Sequence, residues 1–397
     1  MLSIGKVGGG DADPTYYTRS VAQGREDYYT GQGEAKGTWT GKGAHDRGLD
    51  GEVDEEDFIT ALTPPAGSKR KLLGFDLTFS APKSVSVLFA VSDVEVAELV
   101  REAHDAAVEE ALGYIERHAA WTRRDVDGHR HVQGDALTIA TFRHRSSRAG
   151  DPQLHTHSVI VNEVTAEGRA TALDGRALYA HGRTAGFLYQ AALRHHITAT
   201  VGVEWEPVHN GVAEIKGIDE DVRRVFSRRS EEVRAHMAKH GGRSAKSAQI
   251  AVLETRRAKE YDVPIGHLRD DWEARAAEAG FGRDELAAVL NARAAGRPVA
   301  PDLAAVAEEL SSPHGVTRQM STFDRRDVLR EWAAAHREGA PVNRLETLAD
   351  RWVASPQTTV RLDDGQRRRH LGGPRYSTPE MLDRGWRGRA QGLPSTR

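Results

Sequence analysis

The chain has 397 residues, enough for two or three domains and a sizeable core, and it has no cysteine. Disulfides, cysteine-ligated zinc and thiol chemistry are therefore excluded, and the composition is compatible with a reducing cytoplasm. Net charge is -3, so bulk electrostatics announce no nucleic-acid partner, although a near-neutral total leaves room for one local basic groove. No apolar run approaches the roughly 20 residues that span a membrane, and MLSIGKVGGGDADP lacks a charged-then-apolar leader pattern. A soluble, cytoplasmic protein with no membrane insertion is expected.

Residues 1–45 read as a short strand, a polar helix and a Gly-rich loop. Four of the nine tyrosines fall early in this stretch, as Tyr16–Tyr17 and Tyr28–Tyr29. Acid is dense over Glu52–Asp57. Residues 72–79 alternate, with Phe75, Leu77 and Phe79 on one face and Asp76 and Thr78 on the other, which predicts a half-buried strand. In the SAPKS that follows, Pro82 fits either the first turn of a helix or the end of the strand. Residues 93–118 form an amphipathic helix with Ser92 and Asp93 as cap candidates. A basic, turn-rich segment follows, Arg123–Arg130.

Residues 136–144 and 153–162 flank the turn-like RSSRAGDP and predict an antiparallel hairpin. Residues 183–201 look helical, and VEWEPVHNGVAEIKG predicts a hairpin around Asn210–Gly211. From Asp219 to about Gly296 the pattern is helical. Breaks near 297–301 and at Ser312–Gly315 suggest a boundary, two helices fill 324–355, and the tail holds a possible hairpin before a Gly/Arg/Pro-rich end expected to be disordered. Strands meet through hairpins, so the fold class is α+β, an antiparallel sheet flanked by helices.

The chemistry concentrates in FRHRSSRAGDPQLHTHSVIVN. Alternate residues of a strand share a face, so His155 and His157 aim the same way, and the hairpin brings His144 beside them. Three converging imidazoles form a divalent-metal site with open coordination positions, as catalysis requires. A solvent-facing polar strand is the competing explanation of an isolated HxH, but Val159 and Val161 continue the histidine face. The tyrosines sit among polar residues, so they are either surface or interface side chains or reactive phenols. A phenol with an ordinary pKa near 10 is a poor nucleophile at neutral pH. A metal that polarises a phosphate, and a carboxylate that takes or orients the proton, change that. Asp76 is the candidate, unless it is simply a solvated strand carboxylate. On an unbroken helix Tyr17 and Tyr28 share a face but lie about 16 Å apart along the axis. If both serve one site, Gly24 must break the helix or the segment must move.

At this point the sequence resembles a known family, the MobF-type conjugative relaxases (the TrwC/TraI group of HUH endonucleases). The matching pieces run in order: MLSI, the tyrosine pairs, WTGKGA at Trp39–Ala44, GEVD at Gly51–Asp54, GFDLTFSAPKSVS at Gly74–Ser86, RHRSSRAGDPQLHTH at Arg143–His157 and WEPVHNGVAEIKG at Trp205–Gly217. The likeness covers roughly residues 1–300. It implies that Tyr16 is the primary nucleophile, with Tyr17, Tyr28 or Tyr29 as a second tyrosine for later strand transfer. His144, His155 and His157 would bind the metal, and Asp76 would orient a histidine or activate the tyrosine. It also implies a palm-like sheet in a relaxase domain over 1–300, with 219–296 as a helical lid over DNA. Residues 301–397 would be a helical linker, a remnant of a helicase lead-in and a disordered tail.

The implied enzyme is a metal-dependent DNA relaxase, a tyrosine transesterase that nicks a plasmid or mobile-element transfer origin. It would leave a 5′-phosphotyrosine and a free 3′-OH during conjugation. Its partners would be single-stranded transfer-origin DNA with an adjacent hairpin, relaxosome accessory proteins and a coupling protein. Three neutral imidazoles suit Mn²⁺, Co²⁺, Ni²⁺ or Zn²⁺ by ligand softness, while cellular abundance favours Mg²⁺ or Mn²⁺. Charge and nearness to the motifs select Lys83, Arg123, Arg124, Arg143 and Arg148 as phosphate contacts, with bases stacking on side chains elsewhere.

Two features depart from the family pattern. The tyrosine pairs are 12 residues apart, a long spacer. STPEML resembles the lead-in to the family's helicase, yet no GxxxxGK[ST] occurs, so nicking without unwinding is expected. Alternatives are a rolling-circle replication initiator and a degenerate single-stranded DNA-binding protein. A zinc hydrolase needs no tyrosine, and no HExxH is present.

Overall fold

The computed structural model describes residues 1–8, 36–68, 70–124, 130–147, 149–240, 265–362 and 373–383. Its centre is an antiparallel sheet of six strands. These are β1 (Leu2–Val7), β2 (Thr38–Thr40), β3 (Gly74–Ser80), β6 (Ala136–Ser146), β7 (Pro152–Ala166) and β8 (Arg169–Thr171), ordered β1-β3-β7-β6-β2 with β8 on the far end of β7. The two histidine-bearing strands are thus neighbours near the middle. β4 (Trp121–Arg124) and β5 (Arg130–Gln133) form a separate two-stranded ribbon where the sequence predicted only turns.

Strand alternation divides the sheet into two faces. Phe75, Leu77, Phe79, Leu137, Ile139, Leu154 and Ile160 point to one side. There they join a large core with α3 (Lys83–Val91), α4 (Val94–Ala119) and α5 (Gly175–Thr200). Val159, Val161, Ala140 and Phe142 point to the other. There they pack against Trp39 and against Phe58 and Leu62 of α2 (Glu55–Leu62), beside the short helix α1 (Lys42–His45).

Local signals explain several boundaries. α4 begins where Asp93 accepts the Val96 N–H at 2.9 Å, a side-chain cap. α3 has Pro82 at its N-cap and no side-chain cap from within. Glu214, far along the chain, accepts from Ser84 N at 2.9 Å instead. The segment around Asn210–Gly211 turns as expected, with Asn210 at φ 50° and Gly211 at φ 81°. It forms only the isolated bridges Trp205↔Ile215 and His209↔Val212 rather than full strands. A Cβ on Gly211 would lie 2.7 Å from the Phe187 ring, so the turn must be tight and side-chain-free there.

Beyond it run α6 (Glu220–Val225), α7 (Arg228–Lys239), α8 (Ile265–Glu278) and α9 (Arg283–Leu290). Next come α10 (Leu303–Ser311), α11 (Arg325–Ala335) and α12 (Val342–Ala354), then β9 (Val360–Leu362) paired with β10 (Arg375–Ser377). α11 and α12 lie on α5, and Phe323, Val328, Leu329, Trp332, Leu345 and Trp352 belong to the same continuous core as the sheet. The Arg194 guanidinium, fully buried in α5, fastens this layer. It donates to Gly211 O (3.0 Å), Ala333 O (3.0 Å) and His336 O (3.3 Å).

Candidate active site

β6 and β7 pair with His144 opposite His155 and Phe142 opposite His157, so all three imidazoles rise from one face. Their ligand atoms lie within 4.8 Å of one another. Ring centroids are 5.1–5.2 Å apart and ring planes cross at 67–74°, a three-bladed arrangement around a common point. His144 is buried, and the other two are half-buried.

Two of the rings are oriented from behind. β3 pairs with β7 so that Thr78 faces His157 and Asp76 faces Val159. Asp76 lies 2.9 Å (Oδ2) and 3.1 Å (Oδ1) from His157 Nδ1. Thr78 Oγ1 is 3.1 Å from the same nitrogen and donates to Asp76 Oδ1 at 3.3 Å. A carboxylate only accepts, so Nδ1 of His157 carries the proton and Nε2 keeps its lone pair. His155 Nδ1 donates to Gln153 O at 2.7 Å, with the same consequence. Neutral imidazoles whose outer N–H is held by a carboxylate or carbonyl are well prepared metal ligands. The donor set fits a divalent ion.

The other expected site residues are distributed differently. Tyr16, Tyr17, Tyr28, Tyr29 and Arg148 lie outside the described residues. Lys83, at the start of α3, turns its ammonium inward and donates to Pro152 O (2.8 Å) and Gln153 Oε1 (2.9 Å). Burial pulls its pKa down to about 8, opposed by the charges of Asp151 and Glu214. Arg143 points to the helical face, away from the histidines, and pairs with Asp105 of α4. Arg123 and Arg124 sit on the β4–β5 ribbon. Arg123 Nε is 4.0 Å from Asp174, and Arg124 donates to Ala166 O at 2.6 Å.

Sequence reasoning missed two neighbours of the site. His104 is fully buried between Tyr189 Oη and Thr156 Oγ1, 2.8 Å from each, directly under the strand that carries His155 and His157. Its position among Val100, Ala103, Ala107 and Ala111 on the apolar stripe of α4 was the available signal. Asp151, read as a turn residue, is 1% exposed and accepts from Arg228 N (2.9 Å), Arg228 Nε (2.7 Å) and Arg275 (2.9 Å). It ties the tip of the histidine hairpin to α7 and α8.

Residues 11–279 match the model of the TrwC relaxase family. The chain belongs to that family. The Escherichia coli K12 protein named "Multifunctional conjugation protein TraI" is 32% identical over 303 residues, which cover 71% of this chain and 16% of TraI. A second Escherichia coli TraI is 33% identical over the same length. This chain therefore spans about a sixth of the length of these curated relatives, 16%. Among solved structures, a copper-bound complex of the conjugative relaxase TrwC with oriT DNA superposes with a TM-score of 0.61 at 32% identity, covering 71% of this chain and 99% of that one. TrwC bound to a 27-mer comprising the recognition hairpin and the cleavage site gives 0.59 at 31%, with the same coverage of both chains. The antiparallel sheet flanked by helices is thus the relaxase fold that the motifs led us to expect, with the histidine hairpin at its centre.

Proposed function

We propose that this chain nicks one strand of DNA at a transfer origin and later transfers it, using a tyrosine beside a divalent metal ion. The observation that carries the reading is the convergence of His144, His155 and His157, with Asp76 on His157, in a TrwC-family chain. The relatives are named for conjugation and for oriT DNA, which favours a relaxase over a replication initiator.

In the nicking step a tyrosine Oη bonds to phosphorus and the bond from phosphorus to the 3′ oxygen breaks. The phenolic proton passes to a base, and the departing 3′ oxygen takes up a proton. The products are a 5′-phosphotyrosine and a 3′-OH. One ester replaces another, so a later 3′-OH can reverse the step. Tyr16 is our choice of primary nucleophile, with Tyr17, Tyr28 or Tyr29 for a second transfer. Asp76, with both oxygens on His157 Nδ1, orients that ring. A bound divalent ion would polarise the phosphate and stabilise the charge that develops on it. We assign Mg²⁺ or Mn²⁺ as the working ion, with Zn²⁺, Ni²⁺ or Co²⁺ able to occupy three imidazoles.

The strand would be held by phosphate contacts, for which Arg123, Arg124 and Arg148 remain our candidates, whereas Lys83 and Arg143 are turned onto protein acceptors, Gln153 and Asp105. A two-stranded ribbon such as β4–β5 fits a DNA major groove, which supports Arg123 and Arg124 as contacts to an adjacent hairpin. We place the catalytic unit in residues 1–300, with 219–296 over the bound strand. The Asp151 contacts to Arg228 and Arg275 support that, because they set α7 and α8 beside the histidine hairpin. Residues 301–397 extend from this unit.

The test uses end-labelled single strands from the DNA flanking this gene, on a denaturing gel, with wild type, Tyr16→Phe and an EDTA control. A metal-dependent nick with a protein-linked 5′ end, lost in Tyr16→Phe, is expected. An adduct that survives Tyr16→Phe moves the nucleophile to another tyrosine. DNA binding without any cut leaves a degenerate binding protein.

A further inference from the structure

The first turn of α3 is built against the start of β7. Ser86 Oγ accepts from Leu154 N at 3.0 Å, and Ala81 N donates to Leu154 O at 3.0 Å. Between these contacts the Lys83 ammonium reaches Pro152 O and Gln153 Oε1 at 2.8 and 2.9 Å. On the far side of Pro152, Asp151 is locked by Arg228 and Arg275. Gln153 is therefore held by a neighbour on each side and by its own side chain. Its carbonyl is the acceptor for His155 Nδ1, 2.7 Å away. A lysine has three donors on a compact charge, and here two of them are spent on this one dipeptide.

We propose that Lys83 is a positioning residue for the metal centre. It fixes Pro152–Gln153 so that Gln153 O holds His155 Nδ1–H and turns His155 Nε2 toward the other two imidazoles. The idea rests on the three histidines being a metal site. It differs from a phosphate-contact role for Lys83, because the ammonium acts on protein acceptors and its effect falls on the metal, not on DNA. Groups that hold the outer N–H of a ligating histidine typically govern metal affinity by about 10–100-fold. Lys83 stands one bond network further out, so the low end of that range is expected.

The full chain, stripped of metal, would be titrated with Co²⁺ and followed by visible absorption, which reports ligand geometry without any nicking. Lys83→Met is expected to weaken Co²⁺ binding about tenfold and to alter the absorption bands. Lys83→Arg, which keeps charge and donors, is expected to match the wild-type Co²⁺ affinity and spectrum. Binding of a labelled single strand at two salt concentrations runs alongside. Wild-type Co²⁺ affinity and spectrum in Lys83→Met, with weaker DNA binding and a shallower salt dependence, would overturn the proposal and make Lys83 a phosphate contact. Should Lys83→Met fail to fold, Gln153→Ala removes only the side-chain acceptor and is expected to weaken Co²⁺ about threefold. Wild-type binding there overturns the proposal equally. A wild-type chain that gives no Co²⁺ spectrum removes the metal-site reading itself, and this inference with it.

Discussion

Glu346 on α12 offers a quantitative test of how the last helices are held to the catalytic sheet. Its carboxylate is mostly buried and receives Arg117 (2.5 Å), His118 Nε2 (2.7 Å) and, further out, Arg325 (3.5 Å). Arg117 and His118 form the last turn of α4, where positive charge also suits the helix dipole. Burial by itself would raise the Glu346 pKa, but the His118 hydrogen bond and the Arg117 charge outweigh it and bring the pKa from 4.5 down to about 2. At about 1.4 kcal/mol per tenfold change in proton affinity, that drop corresponds to about 3 kcal/mol of folding stability. Arg117 is half exposed, so solvent screening makes this an upper value.

The folded pKa is depressed, so the contribution is complete above pH 4.5 and is lost as pH falls toward about 2. Urea unfolding of wild type and Glu346→Gln should therefore differ by about 2–3 kcal/mol at pH 7, and the gap should close between pH 4.5 and 2. Hydrogen exchange at pH 7 should speed up first over residues 342–354. A gap that stays constant through the acid range would refute the reasoning, because it would assign the effect to packing. A gap below about 0.5 kcal/mol at pH 7 would refute it as well.

Two further outcomes are expected. Arg194→Met removes the donor shared by Gly211 O, Ala333 O and His336 O; His336 O keeps the Gly339 N–H at 2.9 Å, but the buried carbonyls of Gly211 and Ala333 lose the guanidinium. Thermal or urea unfolding should show a loss on the order of 2–4 kcal/mol, while Lys at this position, with its different geometry, should recover little of it. Asp76→Asn can present its amide nitrogen to His157 Nδ1 and reverse the tautomer that suits Nε2 for metal ligation. Metal affinity by calorimetry should fall about 10–100-fold with little change in unfolding midpoint. An unchanged affinity would argue that Thr78 Oγ1, 3.1 Å from the same nitrogen, suffices to orient the ring.

Features with a strict local period were legible in the sequence. β3 alternates every second residue, and β6 and β7 flank the RSSRAGDP turn, so the histidine face followed from spacing, whereas the register shifts in the β6–β7 pair between Leu137 and Ile139 and between His144 and Ser146 were not legible. α4 was legible from its cap and stripe. Features set by distant partners were not. Pro82 allowed either a helix or a strand end. The choice was made by Glu214, which accepts from Ser84 N, and by Leu154, whose N–H donates to Ser86 Oγ, both reaching the first turn of α3 from elsewhere in the fold. The β4–β5 ribbon reads locally as basic turns, and it is organised by Gly134 N on Ala120 O and the Thr122↔Leu173 bridge. Lys83 and Arg143 were chosen for charge near a motif, and charge alone does not say which way a side chain folds back. Lys83 meets a backbone carbonyl 69 residues ahead and Arg143 meets an acid on a helix.

The alternation that made the histidines visible also concealed what steadies them. His155 and His157 look out on the chemical face, while Thr156 between them looks into the core. There its hydroxyl meets His104, which in turn meets Tyr189 of α5. His155 and His157 are therefore each constrained twice: at the ring, by Gln153 O or Asp76, and at the backbone, by a buried polar chain reaching two helices deep. A polar chain of this kind costs stability unless every member is satisfied. Its position under the two ligands is accounted for if it keeps the imidazoles at a fixed spacing before an ion arrives. A hydrophobic substitution at Thr156 would fill the same space and preserve the sheet, so its effect on metal affinity, separated from its effect on folding, measures how much of the site's order comes from the opposite side of the strand.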